Sequence, residues 1–237
     1  MCYAPRTMGN ASRTATTRLL HLAVHELRTP ASVVSGYLRM LLAGHAGPLN
    51  ERQQKMLSEA DRSNRRLNDL IADLGTLSNL ESGALTLAVQ RVPLWTLVRE
   101  VTAAVDEGRD RGVLFEARTS GDEVEVLADA TRLRTALGAL LTATARERVT
   151  PATCLVDGRL ETRDGGGPQA VIRIGEEPAL AGLDGPPGRF DDWRGGLGLA
   201  LPLARHVVEG AGGRLWAPRG RANRAAIGVA LPVAPSR

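Results

Sequence analysis

The stretch Leu22-Ala23-Val24-His25-Glu26-Leu27-Arg28-Thr29-Pro30 decides how this 237-residue chain is read. It lies inside a longer run in which Leu20, Val24, Leu27, Val34, Leu38 and Leu41 recur at three- and four-residue steps. That spacing predicts an amphipathic helix from about Thr16 to Ala43. On it stand an imidazole (His25), a carboxylate one residue later (Glu26) and a hydroxyl one helical turn away (Thr29). The set suits phosphoryl chemistry on the ring. Neutral imidazole is a good nucleophile near neutral pH, and a partner on one ring nitrogen decides which nitrogen attacks. Glu26 is placed to accept a hydrogen bond from His25 and raise its basicity. Thr29 is placed to orient a water for the reverse hydrolysis. Taken alone, a histidine on a helix is usually structural, and His21, His45 and His206 are read that way. Pro30 alone reads as a kink, because it removes a backbone donor and clashes with the preceding turn.

Outward from this stretch, Gly44-His45-Ala46-Gly47-Pro48 breaks the first helix. A second helix is predicted from about Asn50 to Ser82, with Leu57, Ala60, Asn64, Leu67, Ile71 and Leu74 on a 3-4 spacing. Leu70 and Leu77 widen the stripe. Two such helices cannot bury their stripes alone, so the hairpin is expected to pair with a second copy as a four-helix bundle. In that arrangement Asn64 either sets the register at a core step or sits in solvent.

The sequence His25-Glu26-Leu27-Arg28-Thr29-Pro30 resembles the phosphoacceptor box of sensor histidine kinases, and Ser78-Asn79-Leu80-Glu81-Ser82-Gly83 resembles the family's exit from its hairpin. The resemblance implies a dimerisation and phosphoacceptor domain over 15–86 after a flexible lead at 1–14. It further implies an ATP-binding α/β two-layer sandwich over 87–237, of the kind shared by histidine kinases and gyrase-type ATPases. The fold class expected is therefore α+β. The pattern beyond Pro93 agrees, with helices predicted at Leu94–Asp106, Ala130–Arg146 and Leu197–Glu209. Strands are predicted at Val113–Thr119, Val124–Leu127, Thr153–Leu160, Ala170–Ile174, Arg214–Ala217 and Ala226–Leu231.

The ATP-binding motifs of the resemblance are unevenly preserved. Arg194-Gly195-Gly196-Leu197-Gly198-Leu199 resembles the second glycine box, in which backbone amides approach phosphates at a helix start. Gly195, Gly196, Gly198 and Leu199 are the nucleotide-binding candidates, and Arg189-Phe190 stands where the lid phenylalanine is expected. The helix opening Asp129-x-x-Arg132-Leu133 is also intact. The magnesium asparagine, however, falls on Ala143 when aligned forward from Asp129 and on Ala145 when aligned backward from Thr150-Pro151, with Ala139 replacing an earlier asparagine. At the end of the strand Val171–Ile174, Gly175 stands in place of the aspartate that bonds the adenine amine, and Glu177 and Ala179 replace two glycines. Losing a hydrogen bond to a charged group costs about 1.5–3 kcal/mol. Losing the metal ligand removes the ion that neutralises the transferred phosphoryl group. The expectation is a degenerate site for ATP and magnesium, with autophosphorylation weak or lost. Glu147, Glu176 and Glu177 are the nearest substitutes.

Composition narrows the classes further. Apolar residues make up 43% and support a packed core, while aromatics at 3% leave it to Leu, Val and Ala. The net charge of +4 comes almost entirely from Arg, with Lys55 the one lysine, and no basic stripe interleaves with aromatics, so nucleic acid is not expected as a partner. Cys2 and Cys154 form neither a disulfide framework nor a metal spacing. No apolar run approaches the roughly 20 residues of a membrane span and no signal-peptide core opens the chain. A cytoplasmic location is expected: a soluble remnant, a kinase driven by a partner, or a fragment. The implied partners are a second copy, or another histidine kinase in a mixed dimer, and a response regulator receiver domain. Three functional readings stay open: a phosphoryl acceptor or phosphatase, an active kinase using substitute carboxylates, and a module that only binds the regulator.

Overall fold

The computed structural model describes residues 10–81, 88–162, 167–220 and 224–235. The chain divides into two compact units, Met1–Thr86 and Leu87–Arg237.

The first unit is a helical hairpin of α1 (Asn10–Leu42) and α2 (Glu51–Glu81). Helix α1 already runs from Asn10, so residues 10–14 of the expected lead are helical. Extending a long helix by a turn is easy once it is nucleated, and neither Gly nor Pro intervenes between Asn10 and Pro30. Residues 1–9 of that lead lie outside the described residues. The turn is built by local chemistry. Gly44, at φ 77°, closes α1 with paired bonds from its own N–H to the Leu41 carbonyl (3.0 Å) and from the His45 N–H to the Met40 carbonyl (3.0 Å). This is the Schellman arrangement, which needs a left-handed residue. Asn50 and Gln53 then form a reciprocal capping box at the start of α2, with both side-chain-to-backbone bonds at 2.9 Å. Val24, Ala31 and Leu38 are buried on α1, and Asn64, Ile71 and Ser78 on α2. Both sets step by seven, the period of a narrow helix–helix seam. Leu27, Val34 and Leu67, members of the same periodic pattern, stay exposed in a single copy.

In the second unit, β2 (Val113–Thr119), β4 (Ala152–Thr162), β5 (Pro168–Gly175), β7 (Ala226–Pro232) and β6 (Arg214–Trp216) form a sheet in the order β2-β4-β5-β7-β6. Only the β2–β4 pair is parallel. Helices α3 (Leu94–Ala104), α4 (Ala130–Arg146) and α6 (Ala200–Gly210) join the sheet's Val156, Ile172, Ile174, Ile227 and Val229 in the main core. A short ribbon of β1 (Gln90–Pro93) and β3 (Glu125–Ala128) lies apart from this sheet. β1 is too short to show a period, and Pro93 argues against a strand. Its pairing with β3, 35 positions on, is what makes it one. A second, smaller core joins Leu155, Val171, Trp216 and Ala230 to Leu180 and Leu183, from the short helix α5 (Glu177–Leu180) and the turn after it. Gly228 is obligatory there, since a Cβ would lie 2.2 Å from the Trp216 ring.

The start of α3 shows how the core is tied to sequence-distant loops. Pro93 offers no side-chain cap. The Leu94 N–H instead donates to the Val124 carbonyl (2.8 Å), and the Glu123 carboxylate accepts from the backbone N–H groups of Trp95 (2.7 Å) and Thr96 (3.1 Å). The Thr96 hydroxyl adds a further bond at 2.6 Å. Burial pushes the Glu123 carboxyl upward, but these hydrogen bonds outweigh it and hold it below the ordinary glutamate range. A depressed carboxyl stabilises the fold above its unfolded pKa, and that stabilisation is lost as pH falls through the folded value. Glu123→Gln is therefore expected to lower the stability of this unit by about 1 kcal/mol at neutral pH. In urea titrations the gap between parent and variant should close as the pH is taken below that range.

Candidate functional site

On the hairpin, His25 follows the buried Val24 and so projects beside the seam, three-quarters exposed. Its Nδ1 lies 3.5 Å from Glu26 Oε1, at ion-pair range but longer than a direct hydrogen bond. Thr29 is exposed one turn along. Pro30 sits within α1, so the Glu26 carbonyl loses its intrahelical donor beside the histidine. Facing this level on α2 is Gly75, where an added Cβ would stand 3.3 Å from Val24 Cγ1 and 3.6 Å from the Arg28 guanidinium. The absent side chain lets the helices close under His25 and leaves the imidazole free above them.

In the second unit, the residues expected at a nucleotide site lie on α4, at the end of β5 and before α6. Asp129 caps α4, its Oδ1 accepting from the Arg132 N–H at 3.0 Å. Ala143 and Ala145 on that helix are fully buried. Gly195, Gly196 and Gly198 hold φ values of 64°, 62° and 60°, and Leu199 stands at the N-cap of α6. Gly195 rests directly on α4, where a Cβ would come within 2.7 Å of Ala143 Cα. Gly175, at φ 155°, is equally closed to a side chain, because a Cβ there would meet the Ala225 carbonyl oxygen at 2.8 Å.

Sequence reasoning missed the residue that holds this arrangement. Arg194 is completely withdrawn from solvent. Its guanidinium donates to Glu147 Oε2 through Nε (3.1 Å) and Nη2 (2.5 Å), to the Arg224 carbonyl (2.6 Å) and to the Ala226 carbonyl (3.3 Å). Burial pulls its pKa down, and the adjacent Glu147 carboxylate opposes that pull. The signal available in the sequence was slight: an arginine abutting two glycines, and a glutamate just past the end of a helix. Phe190 is buried in the main core and not exposed as a lid, with the Arg205 guanidinium 5.5 Å from its ring centroid. The substitute carboxylates are likewise committed. Glu176 pairs with Arg148 (2.9 Å), Glu177 with Arg118 (3.4 Å), and Glu147 with Arg194. An open groove of about 630 Å³ does exist, lined by Arg189, Phe190, Asp191, Asp192, Trp193, Gly220 and Arg224, but none of the glycine-box residues lines it.

Residues 15–83 match the family model of the His Kinase A (phospho-acceptor) domain. That match falls on the hairpin unit. Over 211 residues it is 26% identical to the cell-division control histidine kinase PdhS of Brucella suis and of Brucella canis, a match covering 81% of this chain and 20% of each relative. It thus spans about a fifth of the length of these relatives. Two solved structures share the fold. Full-length ShkA in complex with AMPPNP aligns at a TM-score of 0.69 with 21% identity, covering 92% of this chain and 46% of that one. The Acinetobacter baumannii histidine kinase AdeS aligns at 0.58 with 20% identity, covering 89% and 98%.

At the positions expected to hold a magnesium nucleotide, Gly175 offers no side-chain acceptor and Ala143 and Ala145 no side-chain oxygen, and Gly195 rests on α4 at Ala143. Among the described residues, no cluster of three or more His, Cys, Asp or Glu side chains is gathered to hold a metal, and no helix is long and apolar enough to cross a membrane. Arg194→Ala is expected to destabilise this unit by about 3–5 kcal/mol, because it leaves the Glu147 carboxylate buried without its partner. Chemical denaturation should show that loss largely reversed in the Arg194→Ala/Glu147→Ala double variant.

Proposed function

We propose that this chain works in two-component signalling as a histidine phosphoacceptor that does not depend on its own ATP. The carrying observation is the contrast between its two units. His25 is exposed on a phosphoacceptor domain with Glu26 at its Nδ1, whereas Gly195 of the second unit's glycine box rests on α4 beside the buried Arg194.

In this reading the phosphoryl donor is an active histidine kinase or a phosphorylated receiver aspartate. With Nδ1 turned to Glu26, the Nε2 lone pair attacks phosphorus in line. For an aspartyl phosphate donor, the N–P bond forms as the bond from phosphorus to the carboxyl oxygen breaks, and a free carboxylate leaves. The reverse step returns the group to a response regulator. Thr29, one turn from His25, holds a water for hydrolysis and gives a phosphatase branch.

A second copy of the hairpin completes the acceptor. A single copy exposes Leu27, Val34 and Tyr37 on α1 and Met56 and Leu67 on α2, an apolar set of the kind a four-helix bundle buries. A mixed dimer with an active kinase meets the same need and supplies the donor. This reading places the protein in the cytoplasm, with receiver domains. The ATP-dependent alternative needs Glu147, Glu176 or Glu177, and each would first have to leave its arginine partner.

The test is labelling of purified full-length chain, with acid-labile phosphate on protein as readout. An active histidine kinase with labelled ATP, or a receiver phosphorylated by labelled acetyl phosphate, should label the parent and not His25→Gln. Labelled ATP and magnesium alone should leave the parent unlabelled. Label from ATP alone would make it an active kinase. No label from any donor, in folded dimeric protein, would leave only a regulator-binding module.

A further inference from the structure

The hairpin seam carries a polar cluster whose role the phosphoacceptor chemistry does not explain. Asn64 is buried at a seam position, seven residues before Ile71 and fourteen before Ser78. Its Nδ2 donates across the hairpin to the Ser35 hydroxyl at 2.6 Å. Asn68 Nδ2 donates to the same oxygen at 3.1 Å and to the Asn64 carbonyl at 2.9 Å. The Ser35 hydroxyl in turn donates to the Ala31 carbonyl at 2.9 Å. The hydroxyl thus accepts two bonds and donates one, which is its full capacity.

The location matters. Ser35 lies ten residues beyond His25, about 15 Å along the helix, and five beyond Pro30. Around the proline, the cluster joining α1 to α2 is apolar: Val24 and Ala31 against Ile71 and Leu74. Such contacts tolerate sliding, since one aliphatic side chain replaces another with little loss. A polar group at a single seam position does not tolerate it. Any slip of α2 along α1 buries the Asn64 amide against apolar side chains and strips the Ser35 hydroxyl of two donors.

We infer that Asn64, with Ser35 and Asn68, is a positioning element that locks the register of α2 on α1 and so sets the height of His25 against the surface its phosphoryl partner must meet. The inference rests on His25 as phosphoacceptor only for its functional half, because the register itself is read independently.

The experiment uses the full chain in a Cys2→Ser background carrying Val24→Cys and Gly75→Cys, a pair placed together at the level of His25 only in the observed register. Disulfide formation under mild oxidation, melting temperature and the initial rate of phosphotransfer to His25 are measured, the last without the cysteine pair. Asn64→Leu should keep or raise the melting temperature, and Ser35→Ala, which leaves the Asn64 amide without its acceptor, should lower it; both should slow cross-linking and phosphotransfer by at least about fivefold, as expected when a register-specifying polar group is lost. Ser35→Thr, which keeps the hydroxyl, should restore both. Parental cross-linking in Asn64→Leu overturns the register lock, and slowed cross-linking with parental transfer overturns the positioning role. If the parent takes no phosphoryl group at all, the phosphoacceptor reading has failed and the cross-linking rates alone decide the register lock.

Discussion

A guanidinium removed entirely from water must find a carboxylate and carbonyl oxygens in the right places, and the second unit is arranged around meeting that demand for Arg194. Glu147 supplies the carboxylate from just beyond α4, and the carbonyls of Arg224 and Ala226 come from the approach to β7. The glycine-rich segment that begins at Arg194 is thereby drawn onto α4. Gly195 is tolerated at Ala143 only because it has no Cβ, and Gly175 lies under the Ala225 carbonyl for the same reason. The contacts that stabilise the unit are therefore centred on the Arg194–Glu147 pair and the backbone around it. Restoring an aspartate at Gly175 would meet backbone, not an empty adenine pocket.

The hairpin was largely legible in advance. The 3-4 spacing gives both helices, and the six-residue box falls on an exposed stretch of the first. Two things were not legible. Asn64 sits at a seam step, but only its partner Ser35, on the other helix, shows that it is buried and satisfied and not solvated. Leu27, Val34 and Leu67 fit the apolar period as well as Val24 and Ile71 do, yet one hairpin buries only the seven-residue subset. Periodicity reports that a face is apolar and not which neighbour covers it.

In the α/β unit, elements with a clear alternation or helical period were found within a few residues, Val113–Thr119 and Ala130–Arg146 among them. The misses share a cause: the deciding contact is distant in sequence. β1 becomes a strand through β3, and α3 is capped by Glu123, 28 positions after Trp95. Motif spacing placed Phe190 in a lid, whereas burial and two nearby guanidinium groups place it in the core. The buried Arg194–Glu147 ion pair was not legible, because its partners are 47 positions apart.

In the function proposed above, this unit does not admit a nucleotide. Calorimetric titration of the full chain with AMPPNP and magnesium tests it most directly. The account predicts no saturable heat up to about 1 mM ligand, the weak end of the affinity scale. Saturable, magnesium-dependent binding in the micromolar range would contradict it, for Arg194 and the glycine box would then have to part from α4 to admit the nucleotide.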